Sequence, residues 1–388
     1  MAKSNAKRNS NRFWIFVTGK MDYSLIVITL LLLSIGLIIL LSASAPTSIA
    51  ENGNGYSYAL KQGIVAIVGL GLMFLFSAVD YKCFKSWKWL IYIGCVAILL
   101  IVGLFGIGEN GARRWFNFPV IGTLQPSEFV KVGLVLFYAA FLTDIKESNR
   151  IKKLVPGFIT PFVLFIPIAI ILYKLQNHLS ATLIMAMVMT IQIFIAGANI
   201  SYFIGTAGVG GALVALYALS SAMNPEEGGF RTGRIQTWLN IEADATGAAW
   251  QINQSLYAIG SGGLFGLGLG ESRQKYLYLP EPQNDFIFAI LAEELGFIGC
   301  ITVIILFIAF VWRGILIAMK AKDTFGSLIA IGITSIIGLQ ALINIAVVTN
   351  TIPVTGMPLP FFSHGGSALL ANLIGVGILL SVSRNSKK

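Results

Sequence analysis

Asp285 is an ionisable group at what reads as a membrane boundary. It closes a distinctive stretch, residues 260–299, reading GSGGLFGLGLGESRQKYLYLPEPQNDFIFAILAEELGFIG. Six glycines lead into a charged, aromatic segment, Pro280 and Pro282 follow, and Asn284-Asp285 stands at the lip of an apolar run. Glycines of this kind let a backbone come close to a ligand. The competing reading makes Asn284 or Asp285 a helix N-cap after Pro282. Glu293 and Glu294 lie two turns deeper. At 100° per residue they are about 80° and 180° round a helix from Asp285, so neither pairs with it, and both are expected to bond within the helical bundle.

Three other places could carry chemistry. Gly111-Ala112-Arg113-Arg114-Trp115 offers two guanidiniums and an indole, and Gln125-Pro126-Ser127-Glu128 then opens a helix on which Glu128 and Lys131 form an i,i+3 pair. Taken alone, that pair reads as a structural salt bridge. His178, in Gln176-Asn177-His178-Leu179-Ser180, is one of two histidines; it reads first as a hydrogen-bonded group at a helix start, and second as a proton carrier. Finally, Gly356-Met357-Pro358-Leu359-Pro360-Phe361-Phe362-Ser363-His364-Gly365-Gly366 breaks the chain before the last apolar run. Such a segment must line a cavity or pack within protein.

The elements that must position these residues are membrane spans. Of 388 residues, 56% are hydrophobic and 11% charged, far below the quarter or so of charged residues in soluble domains. Runs long enough to cross a bilayer fall at 24–44, 59–79, 86–107, 127–143, 155–173, 180–198, 201–222, 285–312, 325–349 and 366–383. The sequence therefore predicts an all-α polytopic membrane protein of ten transmembrane helices. It comprises a basic tail at 1–23, a transmembrane domain at 24–384 with a large outer loop at 223–284 between spans 7 and 8, and a tail at 385–388. The fourth span is the weakest, because it contains Glu128 and Lys131. The outer loop holds Trp238, Trp250, Tyr257, Tyr276 and Tyr278 and is expected to fold over the mouth of the bundle. Cys83, Cys95 and Cys300 form no redox or metal motif.

With both termini in the cytoplasm, 18 of the 27 Lys and Arg fall on the inner side, as the positive-inside rule requires. The net charge of +10 thus belongs to membrane topology, not to nucleic acid. Nine cations break the rule: Lys61, Arg113, Arg114, Lys131, Lys174, Arg231, Arg234, Arg273 and Lys275. Outer acids could pair with them. For Arg113, Arg114 and Lys131, binding of an anionic ligand, phosphate above all, is the favoured reading.

The motifs Arg113-Arg114-Trp115, Gln125-Pro126-Ser127-Glu128, Leu279-Pro280-Glu281, Asn284-Asp285-Phe286-Ile287-Phe288, Glu293-Glu294-Leu295-Gly296-Phe297 and Pro358-Leu359-Pro360-Phe361-Phe362-Ser363 occur in one order. In this the chain resembles the SEDS family (shape, elongation, division and sporulation), and within it the FtsW/SpoVE branch. The resemblance runs from about residue 20 to 384. It implies a peptidoglycan glycosyltransferase that polymerises lipid II at the outer face of the bacterial cytoplasmic membrane, in cell division or sporulation. It implies work alongside a class B penicillin-binding protein and other division proteins, with Asp285 as the essential acid and Trp115 as functionally important. Asp285 is then the expected catalytic base. Arg113, Trp115, Glu128, Lys131, Arg231, Arg234 and Ser363 are the expected substrate-binding residues. Mg2+ or Mn2+ could share the diphosphate, although the sequence shows no dedicated metal cage. A lipid II flippase and a non-catalytic division scaffold are the rival readings. The chain departs from the family pattern at Gln176-Asn177-His178, at Gln283, where His is common, and at His364 and Ala368, where Tyr and Ser are usual.

Overall fold

The computed structural model describes residues 19–108, 113–118, 122–206, 238, 249–276 and 278–386. Helices dominate in chain order: α1 (Tyr23–Asn52), α2 (Ser57–Ala78), a short α3 (Cys83–Ser86), α4 (Lys88–Phe105), α5 (Pro126–Glu147), α6 (Thr160–Ile170), α7 (Leu179–Ala196), α8 (Trp250–Gly262), α9 (Ile287–Lys320), α10 (Thr324–Val348) and α11 (Gly366–Arg384). One departure from the all-α expectation is a small antiparallel hairpin between α4 and α5, β1 (Phe116–Phe118) with β2 (Gly122–Leu124). Its short polar and aromatic strands give too little alternation to be read from sequence.

Eight of the described helical segments are long and apolar enough to cross a membrane, α6 counting with the π turns that flank it. These turns, Val155–Ile159 and Ile171–Leu175, accompany Pro156, Pro161 and Pro167, each lacking the N–H that a regular helix needs. Helix α5 has the length of a span, and its burial includes Glu128 and Lys131. Of the expected span at 201–222, a helix is described from residue 200 to 206, and the rest lies outside the described residues.

Helix α11 is the most enclosed span, whereas α2 and α4 expose most of their apolar surface, as lipid-facing helices do. Polar side chains join the helices. The buried Gln192 of α7 donates to Val135 O of α5 and Leu328 O of α10, both at 3.1 Å. Such interhelical bonds are favoured where water is absent.

The expected inner loops gather on one face. Arg384 Nε donates to Gly19 O, and Asp22 N to Ser383 Oγ. Arg313 pairs with Asp22, Tyr81 donates its hydroxyl to Asp323, and Lys85 and Lys88 pair with Glu147 and Asp144. The start of α1 and the end of α11 therefore share a face. Helix α9 ends there too, which puts Asp285 at the opposite face.

Helix α9 corrects the expectation of one continuous span from 285 to 312. Gly296, at φ 66° and ψ −165°, breaks it, leaving a stub, Ile287–Leu295, and a long lower segment.

Candidate active site

The segment around Asp285 is built from the glycine-rich stretch upward. Helix α8 ends at Gly262, and the chain then runs antiparallel along the α9 stub. Leu267 N donates to Glu293 O at 2.9 Å and Gly268 N to Glu294 O at 3.1 Å. Phe297 N and Ile298 N, freed by the break, donate back to Gly263 O and Leu264 O. A Cβ at Gly262 would lie 2.0 Å from Ala292 O, and one at Gly266 2.1 Å from Glu294 O. These glycines let the loop approach another backbone, not a ligand.

The two carboxylates at the foot of the stub complete this dock. Glu293 accepts from Ser272 Oγ, from Arg273 N at 2.9 Å and from Gln274 N at 3.3 Å. Glu294 reaches α1 through Ser42 Oγ at 2.5 Å and pairs with Lys275 Nζ at 3.0 Å. Both acids are buried. Glu294 makes an interhelical contact as expected, whereas Glu293 binds the loop.

Asp285 lies at the top of the stub. The N-cap position is Phe286, and no side chain caps it, so the N-cap reading of Asn284 or Asp285 is not met. Instead the backbone is pinned. Asn344 of α10 donates from Nδ2 to both Asp285 O and Met357 O, each at 2.7 Å. The carboxylate faces the broken segment before α11: a Cβ at Gly356, itself at φ +69°, would stand 3.4 Å from Asp285 Oδ2. The preceding turn is held by Glu281 at φ 50°, whose carboxylate accepts from Gln283 Nε2 and Asn284 Nδ2.

The broken segment links Asp285 to the cations. Ser180, in the first turn of α7, donates to Thr355 O at 2.5 Å. His178, one residue before α7, is half-buried, and its buried Nδ1 has no hydrogen-bond partner among the described residues. Burial, with the positive charges of Arg114 and Lys131 beside it, pushes its imidazole down to about 3. Lys131 pairs with Glu128 at 2.7 Å, and both side chains are buried. Arg114 donates to Gln176 O and Asn177 O, and its guanidinium lies 5.9 Å from the Trp115 ring. Trp115 is half-buried and bridges Ile107 through the backbone. Arg113 is exposed and bonds Leu104 O.

Phosphate recognition had been expected of Arg113, Arg114 and Lys131 alike. The structure divides them: Arg114 holds the α6–α7 turn, Lys131 holds Glu128, and Arg113 lies exposed against the end of α4. Arg231 and Arg234 lie outside the described residues. Ser363 is buried in the broken segment, where its Oγ accepts from Leu359 N at 2.7 Å and its carbonyl from Gln62 Nε2 at 3.2 Å. His364 N donates to Gln283 O at 2.8 Å, so two positions that depart from the family pattern meet. The Tyr58 ring packs edge-on against His364 at 4.7 Å. Burial, then the charge of Lys61, pushes the His364 imidazole down to about 4.

The chain is similar to known proteins over nearly its whole length. The profile of the FtsW/RodA/SpoVE cell cycle proteins matches residues 23–388. The chain belongs to this family. It is 44% identical over 370 residues to stage V sporulation protein E of Bacillus subtilis, covering 94% of this chain and 98% of that one. It is 38% identical over 374 residues to the probable peptidoglycan glycosyltransferase FtsW of Trichlorobacter lovleyi, covering 96% and 95%. The fold matches the rod shape determining protein RodA of Thermus thermophilus with a TM-score of 0.68 at 26% identity, covering 95% and 98%. It also matches a chain of a peptidoglycan synthase complex that coordinates polymerization and crosslinking, with a TM-score of 0.73 at 24% identity, covering 94% and 98%. This member of the FtsW/RodA/SpoVE family is thus a multi-pass membrane protein with the RodA fold.

Sequence reasoning missed Asn344, Gln62 and Ser42. Asn344 is a lone polar residue within an apolar run, and that is the signal that could have found it; Ser42 and Gln62 have polar neighbours at Ser44 and Lys61 that mask them.

Proposed function

We propose that this protein is a peptidoglycan glycosyltransferase that polymerises lipid II at the outer face of the cytoplasmic membrane. The observation that carries the reading is the placement of Asp285. Asn344 pins the Asp285 backbone, the Asp285 carboxylate faces the left-handed turn at Gly356, and that turn leads through Thr355, Ser180 and His178 to Lys131. The family relatives named as probable peptidoglycan glycosyltransferases support it.

In the reaction, a sugar hydroxyl of one substrate attacks the anomeric carbon of another. The new C–O bond forms as the bond to diphosphate breaks, and polyprenyl diphosphate leaves with the electron pair. Asp285 accepts the hydroxyl proton. The departing diphosphate is met by cations: exposed Arg113 first, with Lys131, Arg231 and Arg234 as further candidates. Trp115 borders the same corner. Among the described residues no three Asp, Glu, His or Cys side chains converge on a metal site. A divalent cation would therefore be held chiefly by the substrate's own phosphates, with Asp285 as the neighbouring carboxylate.

The bundle has ten spans, with the helix starting at residue 200 as the seventh and the loop at 223–284 outside. Both termini are cytoplasmic, since the basic loops share one face with Gly19 and Arg384. A class B penicillin-binding protein is the natural partner, by the likeness to a chain of a synthase complex. Purified protein with its partner transpeptidase should convert labelled lipid II into glycan polymer. Transport of lipid II across vesicles with no polymer formed would instead establish the flippase reading.

A further inference from the structure

The break at Gly296 raises a question of control. A continuous helix would inherit its orientation from its whole length, but the nine-residue stub Ile287–Leu295, about 13 Å long, is cut from the rest of α9. Asp285 sits at its outer end. Something must set the stub's direction from the inner end.

Glu293 and the backbone pairs of Leu267 and Gly268 tie the foot of the stub to the glycine-rich loop, and a second, charged cluster ties it to α1. Lys275 Nζ lies 3.0 Å from Glu294 Oε1, 2.9 Å from Ser42 Oγ and 2.5 Å from Gly270 O. Ser42 Oγ also donates to Glu294 Oε1. The side chains of Lys275 and Glu294 are 4% and 0% exposed. Three segments distant in sequence meet in this cluster: α1, the glycine-rich loop and the α9 stub. Removing two charges from water costs several kcal/mol each, and an apolar pair of similar volume is often as stable or more so. Stability alone is therefore a weak reason for a charged pair at this depth. Its geometric effect is specific, because the buried lysine and Glu294 both bond Ser42 and so fix the docked loop and stub against α1, which the Glu293 bonds do not do.

We infer that Lys275 and Glu294, with Ser42, are positioning residues for the glycosyltransfer reaction: they fix the α9 stub so that Asp285 meets the attacking hydroxyl. The inference rests on the reading of Asp285 as the base. Misplacing a reacting group by about 1 Å costs on the order of a hundredfold in rate, so the lock acts on turnover more than on binding.

The test uses the full chain with its partner transpeptidase and labelled lipid II. Lys275→Met with Glu294→Met removes the lock while keeping the interior filled. The expected result is a kcat at least tenfold lower, a KM within twofold of wild type, and a melting temperature equal to wild type or higher. A wild-type kcat would overturn the inference. So would a loss carried by KM, or one accompanied by a lower melting temperature, since the pair would then serve binding or fold support. Asp285→Asn is measured alongside. An active Asp285→Asn defeats the base reading, whereas an inactive one beside a fully active double variant defeats only the positioning role.

Discussion

At the scale of single residues, the site depends on groups held where their charge state is constrained. His178 and His364 are both kept neutral by burial, with imidazoles near 3 and 4 against an ordinary 6.5. In the unfolded chain they take up protons below about pH 6.5, and in the folded chain they do not until near pH 3 and 4. Stability contributed by the neutral rings is full above pH 6.5 and falls as the pH drops through that window, by at most ~1.4 kcal/mol per pH unit for each ring. The melting temperature is expected to fall between pH 7 and 5, and His178→Asn should flatten the slope; an unchanged slope would contradict the burial argument. Glu128 and Lys131 present the other constraint. Glu128→Gln leaves a buried ammonium without its counter-charge and should destabilise the fold by roughly 3–5 kcal/mol, while Glu128→Leu with Lys131→Met should recover most of that loss; thermal unfolding of both variants measures it. Residue types at this scale were largely legible: Asp285 stood out as an acid at a membrane boundary, and the Glu128–Lys131 pair as an i,i+3 bridge. The partners of Arg114 were not, because backbone carbonyls at Gln176 and Asn177 leave no mark in a sequence.

The elements show where local pattern succeeds and where it stops. Apolar length placed the described spans to within a few residues at most ends, because lipid-facing helices must be apolar for about 20 residues. The ends of α1 and α9 were the exceptions: α1 extends to Asn52 and α9 to Lys320, beyond the apolar runs. The break in α9 was hidden, since Gly296 lies within an otherwise helical pattern and its positive φ is imposed by the loop packed against it. The glycine-rich run was noticed but assigned to a ligand, and its occupant is the backbone of α9. This reassignment separates two substitutions. Gly266→Ala places a methyl 2.1 Å from Glu294 O at a residue with φ +80°, whereas Gly260→Ala meets nothing within 4 Å. Gly266→Ala should lower the melting temperature and the polymerisation rate, and Gly260→Ala should change neither by more than about twofold in rate. Equal effects of the two would show that the loop does not dock as described.

The whole molecule is a bundle with ion pairs gathered on one face and Asp285 on the opposite face. Cysteine substitutions can assign these faces. Tyr278→Cys, exposed beside the glycine-rich loop, should react with a membrane-impermeant maleimide added outside intact cells, while Lys322→Cys, at the α9–α10 turn, should react only after permeabilisation; the opposite pattern would invert the topology and remove Asp285 from its substrate. Composition and charge were sufficient to read a polytopic protein with its basic loops on one side. They could not show that α1, the glycine-rich loop and α9 meet at Lys275, because that contact joins residues 233 positions apart. Asp285 as the proton acceptor in glycan polymerisation is tested by measuring labelled glycan polymer made from lipid II by the purified protein and its partner, with and without Asp285→Asn. The expected result is polymer from the wild type and at least a hundredfold less from a variant that folds and melts as the wild type does; wild-type polymer from Asp285→Asn would contradict the claim.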